Sequence, residues 1–218
     1  MAFKEGGRDN KIYAVIAIFI IVVIIFTMLL SPRELKPAII EENILDKVWT
    51  EDLKEREANS GFLGLEKWVS YTYKNNYSRF PAYVTITSIK TLFMMSEEDL
   101  NDKTLETIQK SSELGIVIDE NSKTTGIRAH DNGHKTSYII YYGNDTTKDP
   151  YEQIKIIGEN WNCGISGNSV ICIGFAQITN NSETNTVYWE KIIRDEGGIF
   201  GPGIFKGEDG LIYNVKCH

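Results

Sequence analysis

Three histidines and three cysteines are the residues of this chain best suited to do chemistry near neutral pH. Two of the histidines, His130 and His134, flank the stretch Asp131-Asn132-Gly133. Histidines four apart with a carboxylate between them are metal-site donors when both rings leave one face of a helix. Asn132-Gly133 argues against a helix here, because glycine is a poor interior residue and Asn-Gly is the strongest short hairpin signal. A two-residue type I′ turn at Asn132-Gly133 pairs Asp131 with His134 and His130 with Lys135. Strand alternation then sends His130 and His134 to opposite faces, with Arg128 and Lys135 beside His130. The sequence therefore predicts a hairpin tip without a metal, and His134 with Asp131 as the one remaining half-site or acid–base pair.

The cysteines receive the same arithmetic. In the segment 163–172 a two-residue turn at Gly167-Asn168 sets Ser166 opposite Ser169, Ile165 opposite Val170, and Cys163 opposite Cys172. That last pair falls at a non-hydrogen-bonded position, where Cα atoms stand about 4.5 Å apart, within disulfide range. A Cys163–Cys172 bridge is the expectation in an oxidising compartment. Two core thiols and a Cys163 nucleophile are the competing readings. Cys217 is left to remain free, to bridge another subunit or to replace one partner of that pair. Adjacent to His218, it supplies two further metal donors, too few by themselves to define a site.

A third segment, 197–210, carries glycines at 197, 198, 201, 203, 207 and 210 around a doubled Gly-Ile-Phe. No Gly-Lys-Ser/Thr follows, so it is not a phosphate loop. Ile199, Phe200, Ile204 and Phe205 either cap the core or form an apolar interaction loop. Nothing in the chain predicts a cofactor or a catalytic residue.

The elements that must position these residues begin with an apolar run, 12–30, of 19 residues without charge or proline. At about 1.5 Å per residue it spans roughly 28 Å, the thickness of a bilayer's hydrocarbon. It is longer than a signal-peptide core and ends in Met28-Leu29-Leu30 rather than in small residues. The expected organisation is a short tail at 1–11, a transmembrane signal-anchor at 12–31, a linker with an amphipathic stalk helix at 32–60, and an extracytoplasmic α+β domain at 61–218. Ile40, Ile44, Val48 and Leu53 suggest a helix over 38–56, and Leu65, Trp68, Val69 and Thr72 a second over 63–74. Ser96 followed by three acids starts a helix that Gly115 stops. Strands are expected at 82–89, 116–119, 126–130, 134–142, 153–163, 170–179, 186–194 and 211–216. The predicted fold is α+β: a single transmembrane helix, then a mainly antiparallel sheet of five to seven strands with one or two packed helices.

Charge narrows the partners. Setting aside Lys4, Arg8, Lys11, Glu5 and Asp9 from 23 basic and 30 acidic residues leaves 20 and 28, a formal net charge of −8 from Pro32 onward. Such a surface repels phosphate backbones, which excludes nucleic acid, and anionic lipid, which leaves membrane association to the anchor. Asn-x-Ser/Thr triplets at Asn76, Asn144 and Asn180 occur at the frequency chance gives. The function expected from these features is a membrane-anchored binding or assembly domain without catalytic chemistry, such as a single-span accessory subunit with a protein partner. The alternatives are an envelope hydrolase using Asp131/His134 or Cys163 and, ranked below it, a surface-filament subunit.

Overall fold

A computed structural model describes residues 19–21, 23, 34–45, 47–61, 65–76, 81–130, 133–178, 183–193 and 210–218. The interaction loop expected at Ile199, Phe200, Ile204 and Phe205 lies outside the described residues, as does Asp131. Of the apolar run only 19–21 and 23 are described, and they are helical. Among the described residues no helix is long and apolar enough to cross a membrane.

The frame is an antiparallel sheet of eight strands. Its strands are β2 (Trp49–Glu51), β3 (Glu57–Ser60), β4 (Glu66–Asn75), β5 (Ala82–Thr91), β6 (Ile116–Ala129), β7 (Lys135–Asp145), β8 (Glu152–Cys163) and β9 (Asn168–Gln177). They run in the order β2-β4-β5-β9-β8-β7-β6, with β3 sharing β2's edge of β4. Each of β6 to β9 pairs with its neighbour in sequence, and the β5–β9 pair joins that meander to the β4–β5 hairpin. A separate two-stranded pair, β1 (Ile39–Ile40) with β10 (Val215–Lys216), ties the two ends of the domain together.

Two layers cover the sheet. Helix α2 (Glu97–Gln109) lies on one face, capped by the Ser96 hydroxyl accepting from the Asp99 amide and continued by a 3-10 turn to Gly115, which sits in the left-handed region at φ 85°. Gly158 of β8 makes this approach close: a Cβ there would stand 2.6 Å from Thr104 Cγ2 and 2.7 Å from Ile108 Cδ1. The other face carries helix α3 (Glu183–Ile193), the segment 38–49 (which includes β1 and the short helix α1, Glu42–Leu45) and the segment 210–217. This layer holds the larger core, in which Trp49, Ile86, Trp161, Trp189, Ile192 and Ile212 are buried together.

Four expectations are corrected. The segment 38–56 is not one helix: it breaks into β1, α1, β2 and a 3-10 turn, because non-local bonds such as Ala38 N–H to Ser88 Oγ (2.7 Å) and Ile40 N–H to Tyr73 Oη (3.2 Å) outweigh its helical periodicity. The segment 63–74 is not helical where described. Its Trp, Val, Tyr and Thr residues form β4, paired over nine positions with β5. The stretch 186–194 is helical over its described part rather than extended, and Trp189, Ile192 and Ile193 make the buried stripe at i, i+3, i+4. The strands expected at 116–119 and 126–130 are one strand, β6, with an irregularity between Asp119 and Thr124.

Candidate metal centre

One end of the sheet gathers the chemistry. The β6–β7 hairpin pairs Ala129 with Lys135 and Arg128 with Thr136, and closes through His130 N–H to the His134 carbonyl at 2.9 Å. This leaves three residues, 131–133, in the loop, with Gly133 left-handed at φ 80°. A three-residue loop with glycine at the left-handed position is a standard closure. It shifts the register one residue from the two-residue turn expected of Asn-Gly. A one-residue slip moves side chains across the sheet, so His130 and His134 share a face, the one that carries the larger core. The opposite-face placement is thereby corrected.

The two histidines nonetheless take different roles. His130 is buried, and its Nε2–H donates to Glu159 Oε1 at 2.9 Å. Glu159, wholly buried, also accepts from Arg128 Nε (2.8 Å) and Nη2 (2.5 Å) and from Thr136 Oγ1 (2.5 Å). Burial pushes its carboxyl up, but Arg128 and His130 outweigh that and hold it down at about 2. This network fixes the end of β6 to β8, and thus the hairpin that presents His134. Trp161 lies beside both rings, 5.5 Å from His130 and stacked 6.3 Å from His134, centroid to centroid.

The cysteine register is corrected as well. Gly164 to Gly167 form a four-residue turn, closed by Gly167 N–H to the Cys163 carbonyl at 2.7 Å, with Gly167 at φ 65°. Cys163 therefore pairs with Asn168, and Cys172 pairs with Glu159. Both cysteines are on the larger-core face but four residues apart along the ladder, about 13 Å at strand rise and beyond disulfide reach. All three cysteines are free and buried. The Cys163–Cys172 bridge is absent because the turn is two residues longer than Gly-Asn implies.

What Cys163 meets instead is Cys217 and His218. Leu211 and Ile212 donate their amides to the Lys191 and Ile192 carbonyls, extending from the end of α3, and β10 then pairs with β1. That path lays Cys217 and His218 over the end of β8. His134 Nε2 stands 3.1 Å from Cys217 Sγ, and His218 Nδ1 stands 3.5 Å from Cys163 Sγ and 3.6 Å from Cys217 Sγ. One donor atom from each of the four residues lies within 4.8 Å of every other. Nitrogen and sulfur donors at about 2.05 and 2.3 Å on a tetrahedral zinc are about 3.6 Å apart; the three nitrogen–sulfur separations above match that edge to within half an ångström, and the remaining pairs lie within 4.8 Å.

The protonation states of the donors differ, and only some of them favour metal uptake. Burial first, then the charges of His218 and His130, lower the pKa of His134, leaving the neutral imidazole that ligates. Burial raises the Cys163 thiol, but hydrogen bonds with Cys217, Ser166 and His218 outweigh it, and the net shift is downward. Cys217 is pushed up to about 12 by burial and by the adjacent Cys163. One sulfur thus tends to thiolate while the other keeps its proton until a cation displaces it.

No family model, curated protein or solved structure matches the chain.

Proposed function

We propose that this chain is a membrane-tethered extracytoplasmic domain that works by binding and assembly rather than by turnover, and whose fold is closed by one zinc ion held by His134, Cys163, Cys217 and His218. The observation that carries the metal part is the convergence of four donors from three separate parts of the chain. A Cys2His2 set of this size fills a tetrahedral zinc, leaving no position for a water or substrate, which is the signature of a structural site. Softness points the same way, since two thiolates with two imidazoles suit zinc over magnesium or calcium.

The tether rests on the apolar run 12–30, and the assembly role on the absence of a catalytic motif in the sequence together with the closed donor set. A single-span accessory subunit of a membrane complex is the specific form of this reading. The hydrolase alternative has one geometric point in its favour, the Cys163 Sγ to His218 Nδ1 distance, and one against it, the complete burial of Cys163. Purification of the full chain in mild detergent tests both parts of the proposal. One zinc per chain and a co-eluting protein partner are expected. A zinc-free chain with reduced thiols would remove the metal part, and a lone monomer would remove the assembly part.

A further inference from the structure

The end of the sheet that holds the metal donors also carries a group of exposed apolar side chains, with Phe93 and Ile165 the two most exposed large hydrophobics among the described residues. Leu92, Phe93 and Met94, after β5, are 37%, 79% and 47% exposed, and Ile165, in the β8–β9 turn, is 75% exposed. The two loops form one surface. Met95 N–H donates to Ser169 Oγ at 3.3 Å, Asn162 Nδ2 to the Met95 carbonyl at 2.9 Å, and Lys90 Nζ to the Ser166 carbonyl at 2.5 Å.

The chain leading from the apolar run comes in at this same end. Asn168 Nδ2 donates to the Lys36 carbonyl at 2.5 Å, directly beside the Ile165 turn. From Leu30, the last residue of the run, to Lys36 is six Cα steps, at most about 21 Å of extended chain. A bilayer's polar region is itself several ångströms deep, so this end of the sheet is held within reach of the lipid. The opposite end, where Val117 and the β7–β8 turn lie, is roughly 36 Å away along the 12 residues of β8.

We infer that Phe93, Met94 and Ile165 dock the domain onto the surface of its own bilayer, seated at the boundary between headgroups and acyl chains. The inference rests on the tether reading. Apolar burial drives it rather than charge, because the net −8 of the chain beyond Ser31 is repelled by anionic lipid. The metal centre supports the arrangement: Cys163 immediately precedes the turn that carries Ile165, so the ion fixes one of the two docking loops.

The test uses the full chain in phosphatidylcholine nanodiscs, with photoreactive p-benzoylphenylalanine placed at Phe93, at Ile165 or at Val117. All three are exposed sites that the core does not need, Val117 being 57% exposed. Irradiation is expected to give covalent lipid adducts at 93 and 165 at least tenfold above those at 117. Equal yields at all three sites overturn the inference. So does the absence of lipid adducts at 93 and 165 in a chain that resists alkaline carbonate extraction, and chain-to-chain adducts there in place of lipid would mean a second copy covers the surface. Release by carbonate overturns the tether reading, and the docking falls with it.

Discussion

Glu159→Gln removes the buried charge that holds Arg128 and His130, and its consequence can be worked from the geometry. The carboxylate accepts four hydrogen bonds, two of them from the Arg128 guanidinium, whose side chain is 4% exposed. Gln is isosteric but neutral, and its NH2 group cannot accept. Arg128 would then be a buried cation without its counter-charge, a change that costs about 3–5 kcal/mol. For a domain of this size 1 kcal/mol moves the midpoint by about 2–4 °C, so a fall of about 6–20 °C is expected in thermal unfolding at pH 7. The pH dependence gives a second reading. Glu159 titrates at about 2 in the folded chain against 4.5 when unperturbed. Its contribution is complete above about pH 4.5 and is lost as pH falls from there toward 2. The wild type should therefore lose its advantage over Glu159→Gln across that window. A variant within 1 kcal/mol of wild type at pH 7, or a difference that stays constant from pH 5 to pH 2.5, would refute this account of the network.

Three further outcomes are expected. Cys163→Ala and Cys217→Ala should each abolish stoichiometric zinc binding, while Cys172→Ala, whose sulfur faces Glu159 rather than the cluster, should keep one zinc per chain by elemental analysis. Chelation followed by diamide, which takes two electrons and two protons from a thiol pair, should consume two thiols and yield a Cys163–Cys217 disulfide in peptide mapping; a Cys163–Cys172 bridge would contradict the register. Gly158→Ala should cost about 1–3 kcal/mol in urea unfolding, because its methyl group would press on Thr104 and Ile108 and shift α2 off the sheet.

The parts of this fold legible in the sequence are those specified locally. The helix after Ser96 has its cap, its acidic first turn and its stop at Gly115 within the segment itself. Strands β5, β7, β8 and β9 follow from their β-branched and apolar runs, and the α+β class with them. The helix at 183–193 is not legible, since Val187, Tyr188 and Trp189 suit a strand equally well; in the fold its Ile192 packs closely over Gly174 of β9. The candidate metal centre turns on one residue of register. Asp131-Asn132-Gly133 fits a three-residue loop as well as Asn132-Gly133 fits a two-residue one, and the choice decides which face His134 takes. At the next hairpin a turn two residues longer than Gly167-Asn168 keeps Cys163 on its face but moves it four residues along the ladder from Cys172. Cys217-His218 lacks the local spacing of a zinc motif, because Cys163 and His134 lie 54 and 83 positions before Cys217 and only the β1–β10 pairing brings it over β8. A tally of three histidines and three cysteines, with both hairpin registers left open, was the signal that could have found the site.

Cobalt substitution tests the central claim most directly. Cobalt(II) added to the reduced, metal-free full chain should produce, at one equivalent, the intense visible bands and thiolate charge-transfer absorption of a tetrahedral S2N2 site. One equivalent of zinc should bleach them, and His134→Ala or His218→Ala should weaken binding and alter the spectrum. A weak octahedral spectrum, saturation at no defined stoichiometry, or a spectrum unchanged by both histidine substitutions would contradict a four-donor centre built from His134, Cys163, Cys217 and His218.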